Sequence, residues 1–418
     1  MERKRPANVA APNDEVKTAA QQARRPAEVA SDDRLAGPLV GVRVLDVSRH
    51  LAGPHAAMVL GDLGAEVIKV EMPVRGDDAR TWPPFHDGES CYFMSVNRNK
   101  RSMELDLGDP SMRASIRALV ERSDVLIENF RPGTLDRWGL TDAELSTWNP
   151  RLVRCSISAF GPSGSGRERP GMDLMLQAAS GLMSITGEEG RPPVRVGISL
   201  VDLIAGADAV QGILAALLHR AISGRGQRVD VALFDGTLAW LSYHVTSFLM
   251  TGEVPRRMGA SHPSVAPYGA YATTDGFLIL AVATDALWGR LCQALDRTDL
   301  FADPRFVSNR ARCQDRQALD EELDKTFGSR SAAVWAEILG QAGIPCSPVL
   351  DVAEVLDDPI VEERGLIVRS RRTDGTEIPA PAIPIRFSET PGSIRRPPPL
   401  LGEHTLEIDR ELEGSEFR

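Results

Sequence analysis

Apolar positions in this chain fall in short runs that alternate with longer amphipathic stretches, the rhythm of strands and helices taken in turn. Residues 42–47 (Val-Arg-Val-Leu-Asp-Val) read as a buried strand. Leu51-Ala-Gly-Pro54 reads as a turn that delivers proline to the first turn of a helix over 55–63, closed by Gly64. Residues 66–71 form a second strand. The unit then repeats, with strands at 101–107, 124–130 and 152–157 and helical stretches between them, the first at 111–123. A long apolar helix over 203–222 stops at Gly224-Arg-Gly226, and a strand at 229–233 leads into another helix at 234–250. Such alternation predicts an α/β fold with a doubly wound parallel sheet and ligands at the carboxyl ends of its strands.

Beyond residue 258 the pattern changes. Residues 268–271 and 277–282, joined through Thr274-Asp-Gly276, predict a β-hairpin, and helical patterns follow at 285–296 and 315–340. The chain therefore divides into a polar, disordered tail (1–38), a large domain (39–226), a linking strand and helix (227–258) and a small α+β domain (259–350). A C-terminal segment (351–418) returns to the large domain, its proline-rich stretch 395–401 wrapping a surface.

Composition narrows the function. A length of 418 residues with 42% hydrophobic and 25% charged positions suits a two-domain globular protein. A net charge of −10 argues against a nucleic-acid partner. No apolar run stands out as a bilayer span, and the tail has neither a signal nor a transit pattern. The five cysteines are odd in number and lack CxxC spacing, so neither a disulfide framework nor a metal site is expected. Together these place the protein in a reducing, cytoplasmic compartment, and the preponderance of arginine among its 48 basic residues fits a GC-rich bacterial genome. It also makes Lys69 and Lys100 conspicuous, as exposed edge lysines or as sites that want a compact ammonium. The first strand is not followed by GxGxxG, and no GxSxG, HExxH or P-loop occurs.

The densest chemical signal is Asp202. Between Val196 and Leu218 the only charged residues are Asp202 and Asp208. Six residues put them roughly 120° apart on a helix, so they do not form an acid/base pair on one face. Asp202 is either the N-cap of the helix or a desolvated carboxylate nucleophile. Upstream, glycines 161, 164 and 166 lead to Asp173, which can cap the helix that follows.

Several segments in order resemble one family: Gly41-Val-Arg-Val-Leu-Asp46 with Ala52-Gly-Pro54, Gly64-Ala-Glu-Val-Ile-Lys-Val-Glu71, Asn99-Lys-Arg-Ser102, Glu128-Asn-Phe130, Gly224-Arg-Gly-Gln227 and Leu400-Leu-Gly-Glu-His-Thr405. They are similar to the class III CoA-transferases, over about residues 39–405. The resemblance implies a Rossmann-like large domain, an interlocked homodimer and no prosthetic group, with a coenzyme A thioester and a small carboxylic acid as substrates. It implies that Asp202 is the nucleophile, forming first an acyl anhydride and then a CoA thioester, with Asp173 in support. It places CoA near Arg49, His50, Leu51, Ala52, Met72, Leu105, Asn129, Phe130, Arg137 and Met172. Leu51 stands where the oxalate-type enzymes carry glutamine and Met72 where they carry arginine. His262-Pro-Ser-Val-Ala-Pro-Tyr268 is similar instead to the succinate/glutarate branch, with succinyl-CoA as donor and with His262 and Arg257 as acceptor-binding candidates. An ordinary Asp side chain, with a pKa of about 3.9, is ionised at neutral pH and needs no base. The alternatives are an α-methylacyl-CoA racemase, which pairs the Asp with a histidine where this chain has Met172, and a non-catalytic CoA binder.

Overall fold

The computed structural model describes residues 37–414, so nearly all of the expected tail lies outside the described residues. The central sheet has six parallel strands: β1 Arg43–Asp46, β2 Glu66–Glu71, β3 Lys100–Glu104, β4 Val125–Glu128, β5 Val153–Ser158 and β6 Arg228–Ala232. Their spatial order is β3-β2-β1-β4-β5-β6. The order reverses between β1 and β4, and in such sheets that reversal opens a crevice at the carboxyl ends of the strands. Pairing of Val44 with Val67 and with Val125 fixes the register that brings the loops after β1 and β4 together there.

One face of the sheet is covered by α1 (Ala52–Asp62) and α4 (Leu200–Ser223), the other by α2 (Arg113–Glu121) and the C-terminal helix Thr405–Glu413. Small residues let α1 and α4 approach closely: a Cβ at Gly206 would lie 2.9 Å from the Ala52 carbonyl oxygen. Ala205, Ala209 and Ile213 of α4 are buried against Ala56, Ala57 and Leu60 of α1. By length and composition α4 is apolar enough to cross a bilayer, which corrects the sequence reading. Its packing against α1 and the sheet gives a simpler account of that apolarity.

The helix predicted at 234–250 is two helices, α5 (Leu233–Trp240) and α6 (Tyr243–Thr251). They part at Ser242, whose φ of 49° breaks the helix where no glycine or proline marks a stop. The predicted hairpin is present as β7 (Tyr268–Ala272) and β8 (Phe277–Ala281), with Phe277 opposite Ala272. A third strand, β9 (Cys346–Pro348), joins β8 antiparallel and is too short to announce itself in sequence. The helical pattern at 315–340 is likewise two helices, Arg316–Phe327 and Ala332–Gln341, the second capped by the Ser331 hydroxyl. Residues 393–405 run along the edge strand β3. Asn99 Oδ1 accepts the backbone N–H groups of Arg395 and Arg396, and Ser102 Oγ accepts that of Gly402.

Candidate active site

Helix α4 begins at Leu200, so Asp202 is its third residue and Ser199 its N-cap. The first N–H groups of a helix need acceptors from outside it, and Ser199 offers no side-chain cap. Asp173, first residue of α3 (Asp173–Ala179), supplies one: its Oδ1 accepts the Val201 N–H at 2.9 Å. Its Oδ2 accepts Gln177 Nε2 at 2.7 Å, and Gln177 Oε1 accepts the Val196 N–H at 2.9 Å. Both capping expectations are thereby corrected. Asp202 is not the cap of α4, and Asp173 caps α4 rather than its own helix.

Asp202 is left without a cation or a hydrogen-bond donor on its carboxylate among the described residues. Burial, and secondarily the charge of Asp173, push its pKa up to about 7. This overturns the expectation of an ordinary, fully ionised carboxylate. The wall beside it is apolar: Leu51, Met58 and Val96 pack with Leu203 and Tyr92. Burial, then the charge of Asp202, raises the pKa of Tyr92, whose hydroxyl also bonds the Ser199 side chain. Trp82 meets Tyr92 edge-on at 5.1 Å and stacks on His50 at 5.1 Å. Nothing but their aromatic character marks Tyr92 or Trp82 in the sequence, because they reach the site from the irregular excursion between β2 and β3, Tyr92 on its short helix 91–95.

The turn after β1 carries Arg49, His50, Leu51 and Ala52 and is held by fully buried charge. Lys69 forms an ion pair with Asp77 at 2.9 Å and donates to the Ser48 carbonyl at 2.9 Å. Lys100 donates to Asp46 Oδ2 at 2.9 Å and to Asn97 Oδ1 and the Pro54 carbonyl, both at 2.8 Å. Burial lowers the Lys100 pKa to about 8 despite Asp46. Asp77 Oδ1 in turn accepts the His50 N–H at 3.0 Å and holds that residue at a left-handed φ of 68°. Asn129 grips Arg49 from the other loop, accepting its N–H at 2.8 Å and donating to its carbonyl at 2.7 Å. The two conspicuous lysines are therefore interior struts rather than exposed edge residues, and their partners Asp77 and Asn97 did not stand out in the sequence.

At the carboxyl ends of β1 to β4 a small cleft is lined by Arg49, Met72, Leu105 and Phe130, four of the residues the sequence grouped, with Trp138 added. The Arg49 guanidinium lies 5.4 Å from the Phe130 ring centre, and Trp138 meets that ring edge-on at 5.1 Å. Such walls suit a flat heteroaromatic group. Arg137 is exposed and bonds Thr134 Oγ1, away from this lining. Met172 is 55% exposed beside Asp173. Arg257 donates to the carbonyls of Glu188 and Arg191, and the His262 ring lies among Tyr243 and Tyr268. No hydrogen bond or ring contact joins either of them to Asp202 among the described residues.

The strand order and its switch point define a doubly wound α/β protein, with an aromatic and cationic cleft at the carboxyl ends of its strands and a desolvated aspartate at a helix start. The chain belongs to CoA-transferase family III, whose sequence profile matches residues 39–405. It is a CoA-transferase of that family. A succinate–glutarate CoA-transferase of Agrobacterium fabrum is 41% identical over 390 residues, covering 91% of this chain and 96% of that protein. The succinyl-CoA:glutarate CoA-transferase of Homo sapiens is 37% identical, covering 90% and 86%. These two bear out the glutarate-type branch, although an acetyl-CoA:oxalate CoA-transferase of Acetobacter aceti is also 38% identical, covering 91% and 97%. Among solved structures, a CAIB/BAIF family protein from Brucella suis superposes with a TM-score of 0.82 at 38% identity, covering 90% of this chain and all of that one.

Proposed function

We propose that this protein moves CoA from succinyl-CoA to a small dicarboxylic acid by covalent catalysis at Asp202. One observation carries the proposal: Asp202 is the carboxylate at the crevice left without a partner, in an apolar wall. Its carboxylate adds to the thioester carbonyl, the C–S bond breaks, and CoA leaves as thiolate from an aspartyl–succinyl anhydride. The thiolate attacks the aspartyl carbonyl, succinate leaves, and an aspartyl-CoA thioester remains. The acceptor carboxylate displaces CoA from that thioester, and the thiolate then takes the acyl group and frees Asp202. Every step exchanges one anionic leaving group for another, so the cycle needs no net proton and no prosthetic group. The apolar wall serves by excluding water, which would hydrolyse the anhydride.

In this reading Asp173 is a positioning carboxylate, and CoA lies along the Arg49–Ala52 turn with its adenine toward the Met72, Leu105 and Phe130 cleft. His50, Asn129, Arg137 and Met172 flank it. His262 and Arg257 serve the acceptor. Large apolar side chains left exposed on α4 and α6, among them Ile222 at 84% and Met250 at 81%, support an interlocked homodimer. A racemase needs a second proton-transfer group, and Met172 cannot serve as one. Intact-mass spectra of protein mixed with succinyl-CoA test the proposal. An adduct on wild type that hydroxylamine traps at Asp202, and that Asp202→Asn abolishes, supports it; racemisation without any acceptor acid, or turnover without an adduct, overturns it.

A further inference from the structure

Gln177 is wholly buried one turn along α3 from Asp173, and nothing in the reaction itself uses it. Its carboxamide can face only one way. The carboxylate of Asp173 accepts and the Val196 N–H donates, so Nε2 must point to the first and Oε1 to the second. The resulting chain of bonds runs from Val196 through Gln177 and Asp173 to the N–H of Val201, the residue before Asp202. Val196 belongs to the irregular strap that leads into α4, so a single side chain ties that strap, the cap and the start of the helix together.

We propose that Gln177 is a positioning residue that fixes the division of labour between the two carboxylates: it holds Asp173 as the anchored, donor-satisfied anion and leaves Asp202 as the free one that reacts. Asp173 has two donors and Asp202 has none, so it is Asp202 that shows the repulsion between the two. The groups around Asp202 are consistent with this. Asp173 faces it from α3 and Tyr92 from the short helix 91–95. Along α4, His55 of α1 sits against Gly206 and Asp208 lies against Gly236 of α5, one and nearly two turns away. No cation intervenes among the described side chains.

The inference rests on Asp202 being the nucleophile, and the test keeps the two apart. Transfer from succinyl-CoA to glutarate is followed from pH 5 to 9 in wild type, Gln177→Leu, Gln177→Glu and Asp202→Asn, with urea midpoints confirming that each is folded. Gln177→Leu removes the donor to Asp173, so Asp173 should compete better with Asp202 for a proton and the acid limb of kcat/KM should move down by about one pH unit. Gln177→Glu keeps the acceptor for the Val196 N–H but sets a second carboxylate beside Asp173, and should move the limb up by a similar amount. In both, kcat should fall about tenfold while KM for succinyl-CoA stays within about twofold, since Gln177 does not line the cleft assigned to the nucleotide. Acid limbs that coincide with wild type, or profiles that drop without moving, would overturn the inference. If Gln177→Leu does not fold, the direction of the Gln177→Glu shift decides alone. Full turnover in Asp202→Asn would instead sink the nucleophile reading, whatever the Gln177 variants do.

Discussion

Replacing Asp202 by asparagine should destroy transfer and, in the same molecule, stabilise the ligand-free protein above neutral pH. The carboxyl's pKa lies near 3.8 in an unfolded chain and about 7 in the folded one. Folding therefore favours the protonated form. Below pH 3.8 both states hold the proton and the group costs nothing. Between there and pH 7 its charge is increasingly expelled by the fold, and above pH 7 the loss of stability is constant. At about 1.4 kcal/mol for each of roughly three pH units, the ceiling is about 4 kcal/mol. Asp202 retains some contact with solvent, and screening there reduces the expected effect to about 1–2 kcal/mol. Asparagine fills the same space without the charge. Urea unfolding of both proteins at pH 4, 6 and 8 should show the variant gaining progressively on wild type and levelling off by pH 8. Its transfer rate should fall at least about a thousandfold. A variant no more stable than wild type at pH 8 would refute the desolvated carboxylate; one that still turned over would refute the nucleophile.

In the proposed mechanism the ionised form of Asp202 attacks, so kcat/KM should rise with pH and level off above the pKa of about 7. A profile flat from pH 5 to 9 would contradict this. Lys69→Met should cost about 3–5 kcal/mol in urea unfolding, because Asp77 and Asp46 are left as buried charges without that cation; a loss below about 1 kcal/mol would mean that water replaces the ammonium. Trp138→Ala should raise KM for succinyl-CoA about tenfold with kcat nearly unchanged, as expected when binding common to ground and transition states is removed. An unchanged KM would move the nucleotide elsewhere. Light scattering should give twice the chain mass, and introducing Met250→Asp on α6 should lower it; a wild-type monomer would leave the exposed apolar helices unexplained.

The alternation of apolar runs was enough to specify the parallel sheet, since a strand buried on both faces and a helix buried on one have different periods and both are local. The apolar window around Asp202 likewise marked that residue, because a charge without a partner is visible in one dimension. Family resemblance grouped Arg49, Met72, Leu105 and Phe130, and the fold brings these four to one cleft. What folding alone decided is who partners whom. Asp173 caps a helix 28 residues further on, Lys69 finds Asp77 across a loop, and Ser242 breaks a helix without any breaker in its sequence. Hydrogen bonds, ion pairs and desolvation depend on distances in space between segments far apart in the chain. For that reason Asp202 could be singled out from the sequence, but its raised pKa could not.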